Sequence, residues 1–351
     1  MAEQPKNILI IKPSSLGDIV LALPALTALR RSFPEAKITW LVRPEFADLL
    51  RGNPDLNEII LFDRRLLGKS WYKPKAFAEF MRLLRRLRRE RFDLVFDFQG
   101  LLRTGFLTWV TGCKRRFGMS GAREFATLFY THKLAQDYSC VHLVDYYLRM
   151  VAAAGANQGG VEFKLPEDVQ ADESVKKLLM ERKVNFGNYV VIVPGTARTE
   201  KCWPIWNFSD IADEIAEKFG STIVATGTQS ERVLIEVLED LTNARVVNLA
   251  GQTTLRELTA LLKHAALVVS NDTGPGHIAA GLGVPMVMIF GPTNPARLRP
   301  YGRGECLVAV EPEAMGMAIE SFDPKYEIGQ ITVEQVWERV CGQMEKSKKG
   351  S

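Results

Sequence analysis

Short apolar runs alternate with amphipathic stretches along the whole chain. In the first half, Ile8–Ile11, Ile38–Val42, Glu58–Phe62, Leu94–Asp97 and Arg116–Met119 have the length and apolar content of strands. Between them, Leu21–Ser32 and Phe77–Arg89 repeat apolar residues at helical spacing. Phe80, Leu84 and Leu87, for example, fall on one face, and Pro34 closes the first helix. The periodicity lapses over Gly155–Gln170, where Gly, Asn, Gln and Pro gather, as on the approach to a linker. A second series then predicts strands at Tyr189–Val193, Thr222–Ala225, Arg245–Asn248, Leu267–Ser270 and Met286–Phe290. Helices are predicted at Asp210–Phe219 and Ser230–Leu241, and Thr254–Glu257 reads as a capping box that opens another. Such alternation predicts parallel sheets with helices on both faces, hence an α/β chain of two doubly wound domains. The expected divisions are residues 1–165, a linker region at 166–188, residues 189–330, and a C-terminal helix within 331–351 that could cross back over the first domain. Two such domains place a ligand cleft between them, at the carboxyl ends of the strands.

The 351 residues fit two domains at about 150 residues each. With 46% apolar and 25% charged residues the composition is globular, not disordered or fibrous. No run of about 18 apolar residues predicts a transmembrane helix. The polar start, Met1–Asn7, leads straight into a short strand and lacks a signal-peptide core, so a cytoplasmic location is expected. The five cysteines are scattered without a CxxC pair and the four histidines are dispersed, so no metal site, disulfide framework or cofactor is expected.

The net charge of +4 hides an asymmetry: residues 1–165 hold 26 Lys and Arg against 16 Asp and Glu, and the rest 19 against 25. A basic first half suits an anionic partner. Its densest run is Arg82, Arg85, Arg86, Arg88, Arg89 and Arg91. This run reads either as the solvated face of a helix or as a contact with anionic lipid at a membrane surface. Nucleic acid is not expected, because no nucleic-acid motif accompanies it.

Four loops carry candidate chemistry. Lys12-Pro-Ser-Ser-Leu-Gly-Asp18 follows the first strand and precedes a helix, where the hydroxyls of Ser14 and Ser15 and free N–H groups suit a polar or anionic ligand. Asp18 serves there either as a base or as a helix cap. Asn271-Asp-Thr-Gly-Pro-Gly-His277 holds Asp272, Thr273, Gly274 and His277 at the end of another strand, with glycines that let the backbone approach a diphosphate. Gly195–Pro204 offers Thr196 and Thr199 to phosphate oxygens, and Lys201 to negative charge developing on a leaving nucleotide. Gly227–Arg232 contributes Glu231, either a ribose contact or an acidic residue placed by the helix dipole. Together these loops describe a transferase that uses an activated nucleotide donor.

The stretch Ile8–Val20 with Leu23-Pro-Ala-Leu26, and the stretch Ser270–Ala280 with Pro285 and Phe290-Gly-Pro-Thr293, resemble glycosyltransferase family 9, the ADP-heptose:lipopolysaccharide heptosyltransferases. Asp97–Thr104 and the stretch from Ala122-Arg123-Glu124 to Leu128-Phe129-Tyr130 are similar to the heptosyltransferase I branch. The resemblance spans nearly the whole chain. It implies a GT-B fold and an inverting, metal-independent transfer of L-glycero-D-manno-heptose from ADP-heptose. The implied acceptor is a Kdo sugar of the inner core on lipid A, at the cytoplasmic face of the inner membrane, approached by a peripheral, monomeric enzyme. On the family's pattern Asp18 matches the catalytic base and Lys201 the lysine that contacts the diphosphate. Thr196, Glu231, Asp272, Thr273, Gly274 and His277 match donor contacts. Ser14 and Ser15 lie in the base's own motif on the acceptor side, Arg123 matches an acceptor-side arginine, and Arg64 and Arg65 fall in the family's basic acceptor loop. Cys202 stands where His or another polar residue is expected.

Other readings are a family 9 transferase with another acceptor, as in heptosyltransferase II, and a sugar-nucleotide epimerase on the same fold. A periplasmic sugar-binding protein would need an export signal.

Overall fold

The computed structural model describes residues 4–64, 68, 72–135, 142–157, 159–311, 313 and 323–349. The chain divides into two compact units, Met1–Glu167 and Asp168–Ser351.

Unit 1 holds a parallel sheet of β1 (Asn7–Ile11), β2 (Lys37–Val42), β3 (Glu58–Leu61), β4 (Leu94–Asp97), β5 (Arg116–Met119) and β6 (His132–Leu134), in the order β3-β2-β1-β4-β5-β6. β1 is central: Ile8 pairs with Ile38 of β2 on one side and Leu94 of β4 on the other. The chain winds outward from β1 to β3, returns beside β1 at β4, and winds the other way. The loops after β1 and β4 therefore diverge and open a crevice at the strands' carboxyl ends.

Helix α1 (Leu16–Ser32) buries nearly its whole length and packs on α4 (Leu143–Ala152). α2 (Pro74–Arg89) and α3 (Leu102–Val110) pack side by side. Their Leu87 and Leu107 close a core with Leu9, Ile11, Leu41, Ile60 and Val95. α2 is strongly two-faced: Ala76 and Leu87 are buried, while Arg82, Arg85, Arg88 and Arg89 face solvent.

Unit 2 repeats the plan. Its sheet holds β7 (Tyr189–Val193), β8 (Thr222–Ala225), β9 (Val246–Asn248), β10 (Leu267–Asn271), β11 (Met286–Phe290) and β12 (Leu307–Ala309), in the order β12-β11-β10-β7-β8-β9. The reversal falls between β7 and β10, so the loops after those two strands diverge. The longer helices are α5 (Val169–Glu181), α6 (Ile205–Phe219), α7 (Arg232–Leu241), α8 (Leu255–Lys263), α9 (Gly274–Leu282) and α10 (Val333–Lys349).

Two segments differ from the sequence reading. The expected linker, 166–188, contains α5, which belongs to unit 2 and packs on α8 through Ala171, Val175 and Leu179. The C-terminal helix, read as a separate segment that could cross back over the first domain, buries Val336, Val340 and Met344 in the core of unit 2.

One glycine in β5 is required by packing. The Tyr130 ring lies flat over Gly118, where a Cβ would stand 2.3 Å from a ring carbon. Gly118→Ala should cost about 1–3 kcal/mol by overpacking. Gly342→Ala, in α10 with open space around it, should instead gain about 0.4–1 kcal/mol by restricting the unfolded chain. Urea denaturation of the two variants checks both signs.

Candidate active site

At the unit 1 crevice, β1 ends in Ile11 and Lys12 turns inward, its side chain only 4% exposed. Ser15 caps α1, and Asp18 is the third residue of that helix. The sequence reading starts this helix at Leu21; the Ser15–Asp18 capping box starts it five residues earlier. The cap and the candidate base are therefore the same carboxylate. Three donors reach it: Lys12 Nζ at 3.3 Å, Ser15 N at 3.1 Å and Ser15 Oγ at 3.0 Å. All three meet Oδ2, and Oδ1 has no donor among the described residues. Burial pushes the Asp18 carboxyl up, but the Lys12 charge and the two Ser15 bonds outweigh it and hold the group below the usual carboxylate range. The result is an ionised carboxylate with one oxygen fixed and one open, able to accept a proton from a hydroxyl.

Ser14 is half-buried, and its N–H donates to Gln99 Oε1 across the crevice at 3.3 Å. The Ser15 hydroxyl is committed to Asp18. Arg64 and Arg123 are exposed in the same unit, and the Arg123 N–H donates to the Gly100 carbonyl in the loop after β4. Arg65 lies outside the described residues.

At the unit 2 crevice, the loops after β7 and β10 come together. Lys201 Nζ donates to Asp272 Oδ2 at 2.6 Å, and the ring Nε2 of His277 faces Asp272 Oδ1 at 3.3 Å. The Asp272 and His277 side chains are 5% exposed and Lys201 is 18% exposed, so the ammonium is the accessible member. Burial pushes the Asp272 carboxyl up; the His277 bond and the Lys201 charge outweigh it and hold the carboxyl far below its ordinary value. The group is a fixed cation at a sheet's carboxyl edge, suited to phosphate oxygens.

Thr273 caps α9, its hydroxyl accepting the Gly276 N–H at 3.3 Å. Gly274 is the first residue of that helix, so the glycine loop forms its opening turn. Gly276 faces the sheet, where a Cβ would stand 2.4 Å from Ser270 Oγ and 2.7 Å from Met288 Cε. The missing side chain lets the helix pack closely on the strand. Glu231 Oε2 accepts from Thr228 N at 2.6 Å and Thr228 Oγ1 at 2.9 Å, which is the capping role. Its carboxylate also lies against Gly195: a Cβ there would stand 2.4 Å from Oε1. Glu231 is thus beside the loop bearing Thr196 and Lys201. The Thr196 hydroxyl is taken up within that loop, by the N–H and carbonyl of Arg198.

The sequence profile of glycosyltransferase family 9 (heptosyltransferase) matches residues 80–318. Lipopolysaccharide heptosyltransferase 1 of Pseudomonas aeruginosa is 31% identical over 303 residues, 85% of this chain and 82% of that protein. The chain belongs to glycosyltransferase family 9. It is therefore a glycosyl-transferring enzyme. Lipopolysaccharide heptosyltransferase 1 of Escherichia coli K12 is 27% identical over 85% of this chain and 92% of its own. The crystal structure of a family 9 glycosyltransferase from Veillonella parvula superposes with a TM-score of 0.82 at 21% identity, covering 97% of each chain. That of E. coli heptosyltransferase WaaC with ADP-2-deoxy-2-fluoro heptose gives 0.73 at 26% identity, covering 96% of this chain and 99% of that one.

Three features of this family 9 enzyme lie in stretches quoted from the sequence but were given no role there. Asn271 is fully buried and staples both ends of the Lys201 loop: Nδ2 donates to the Pro194 carbonyl at 2.7 Å, and Oδ1 accepts the Trp203 N–H at 3.1 Å. Its place directly before Asp272 was the available signal. Asp97, fully buried at the end of β4, accepts from Tyr130 OH at 2.7 Å, Gln99 N at 2.9 Å and Gly100 N at 3.1 Å. It anchors the turn that meets both Ser14 and Arg123. A carboxylate closing an apolar strand was the signal, since such a group must be hydrogen-bonded. Arg103 joins Arg64 in lining a cavity of about 400 Å³ with Phe62, Phe80, Phe106 and Leu107.

Asn271→Ala leaves the Trp203 N–H and the Pro194 carbonyl without their buried partner. The expected loss is about 1–3 kcal/mol in urea denaturation. The Trp203 amide, located by hydrogen exchange, should lose its protection.

Proposed function

We propose that this enzyme transfers L-glycero-D-manno-heptose from ADP-heptose to a Kdo sugar of the lipopolysaccharide inner core. The observation that carries the reading is that unit 1 holds an open carboxylate and unit 2 a fixed cation, in a chain 31% identical to a lipopolysaccharide heptosyltransferase 1. Similarity to a transferase solved with an ADP-heptose analogue supports the donor.

In this reading Asp18 Oδ1 takes the proton of the attacking Kdo hydroxyl. The freed oxygen forms a bond to the anomeric carbon as the bond from that carbon to the ADP phosphate oxygen breaks. In-line attack inverts the anomeric configuration. Lys201 meets the charge that develops on the departing diphosphate, so the step needs no metal. The Thr196 backbone N–H, Thr273 and the opening turn of α9 hold the diphosphate, His277 and Asp272 hold Lys201 in place, and Glu231 reads the nucleoside. Ser14 and Ser15 frame the base, and Arg64, Arg65, Arg103 and Arg123 bind carboxylate and phosphate on the acceptor. The basic first unit brings the enzyme, as a peripheral monomer, to the cytoplasmic face of the inner membrane. No helix among the described residues is long and apolar enough to cross a membrane.

The test is transfer from ADP-heptose to Kdo-lipid A with EDTA present. Wild type should transfer, and Asp18→Ala should lower kcat by about 10²–10⁴-fold. An enzyme that binds ADP-heptose but leaves this acceptor untouched would keep the donor and lose the Kdo assignment.

The base also fixes a pH dependence. Asp18 must be ionised, and its depressed pKa puts the acid limb of kcat/KM below the ordinary carboxylate value of about 4. Lys12→Met removes the positive charge that does most to lower it and leaves burial in place, so the acid limb should move to higher pH. A limb that stays put would remove Asp18 from the role.

A further inference from the structure

A band of exposed apolar side chains runs along α3 and the turn after β5. Leu102 and Trp109, seven residues apart and so on one face of α3, are 46% and 56% exposed, with half-buried Phe106 between them. The 3₁₀ turn Ala126–Phe129 packs on the same helix at Gly105, where a Cβ would stand 2.9 Å from both the Ala126 carbonyl oxygen and the Phe129 ring. The Phe106 ring lies 5.9 Å from Trp109 and 6.3 Å, edge-on, from Phe129. Ala126 turns inward, while Phe125 and Leu128 point out at 78% and 74% exposure. Glu124 and Phe125 hold left-handed backbone, with φ of 57° and 60°, which residues with a Cβ rarely adopt. Single exposed apolar residues are ordinary, but a contiguous band of them marks an interaction site.

The ends of the band are cationic. Arg103 lies in the first turn of α3, Arg123 just before the exposed turn, and the Arg88 guanidinium covers Gly112 beyond the far end of α3. None of the three has a carboxylate partner among the described residues. Glu124, the acid nearest the band, uses its carboxylate to accept the Leu102 N–H at 3.3 Å.

We propose that unit 1 docks on an anionic phospholipid bilayer through this band, with Phe125 and Leu128 entering the boundary between headgroups and acyl chains. Trp109 lies at the interface, and Arg88 meets lipid phosphates. The charge complementarity selects a bilayer, which offers phosphates around an apolar interior. The inference rests on the reading that the acceptor is a membrane lipid. It places the anchor on α3 and its turn, with Arg88 of α2 at its edge.

The test is sedimentation with vesicles of mixed phosphatidylglycerol and phosphatidylcholine, against phosphatidylcholine alone. Wild type should bind the anionic vesicles. Phe125→Ser/Leu128→Ser should weaken that binding by about tenfold or more, with an unchanged circular dichroism spectrum. The same variant should transfer at the wild-type rate to a water-soluble Kdo acceptor. A variant that sediments like wild type overturns the proposal and leaves the transfer reading standing. So does a wild type that transfers to the soluble acceptor but binds no anionic vesicle. Vesicle binding that depends on Phe125 and Leu128, with no transfer from ADP-heptose, upholds the docking and defeats the functional reading.

Discussion

Each sheet ends at its point of reversal in one ion pair with a buried and an accessible member, and the two pairs are opposite in sense. In unit 1 the lysine is the buried member and the carboxylate the accessible one: Lys12 is 4% exposed and Asp18 29%. In unit 2 the carboxylate is buried and the lysine accessible: Asp272 is 5% exposed and Lys201 18%. A buried charge needs a partner, and the partner is thereby held at the crevice. One unit thus presents a fixed anion and the other a fixed cation. These are the two charges that a transfer from a nucleotide sugar requires, a proton acceptor and a stabiliser of the departing diphosphate.

The surrounding fold keeps these charges in place. The order of strands parts the loops after β1 and β4 and those after β7 and β10, so each crevice lies at the carboxyl edge of a parallel sheet. Backbone groups there are already satisfied by short-range devices: the Ser15–Asp18 box on α1, the Thr273 cap on α9, and the Thr228–Glu231 box. Two buried polar groups, Asp97 and Asn271, tie the loops together from below. Asp18 and Asp272 both have depressed pKa values, so the stability they contribute is present above the ordinary carboxylate range. It is lost as pH falls through their lowered values.

Most of this frame was legible in the chain, because buried parallel strands are written as dense apolar runs and the loops after them as clusters of Gly, Asp, Thr and Lys. What escaped has physical causes. β6 reads His-Lys-Leu and β12 is three residues long, and such short edge strands carry little apolar signal. α5 escaped because a charged, mostly exposed helix next to a Gly-rich stretch looks like a linker. Asp18 was placed in a turn because the polar residues that start α1 resemble a loop until their hydrogen bonds are traced. The packing role of Gly276 escaped too, since periodicity cannot show how closely a helix sits on its sheet. Asn271 and Asp97 act through bonds to residues distant in sequence, which no local pattern reveals.

The division of charge between the two units is most directly tested by titrating ADP calorimetrically into wild type, Lys201→Met and Asp18→Asn. Lys201→Met should lose about tenfold or more in affinity, the cost of one charge-assisted bond to phosphate. Asp18→Asn should bind ADP like wild type. An Asp18→Asn protein that loses ADP as fully as Lys201→Met, or a Lys201→Met protein that keeps it, would contradict the assignment of one charge to each crevice.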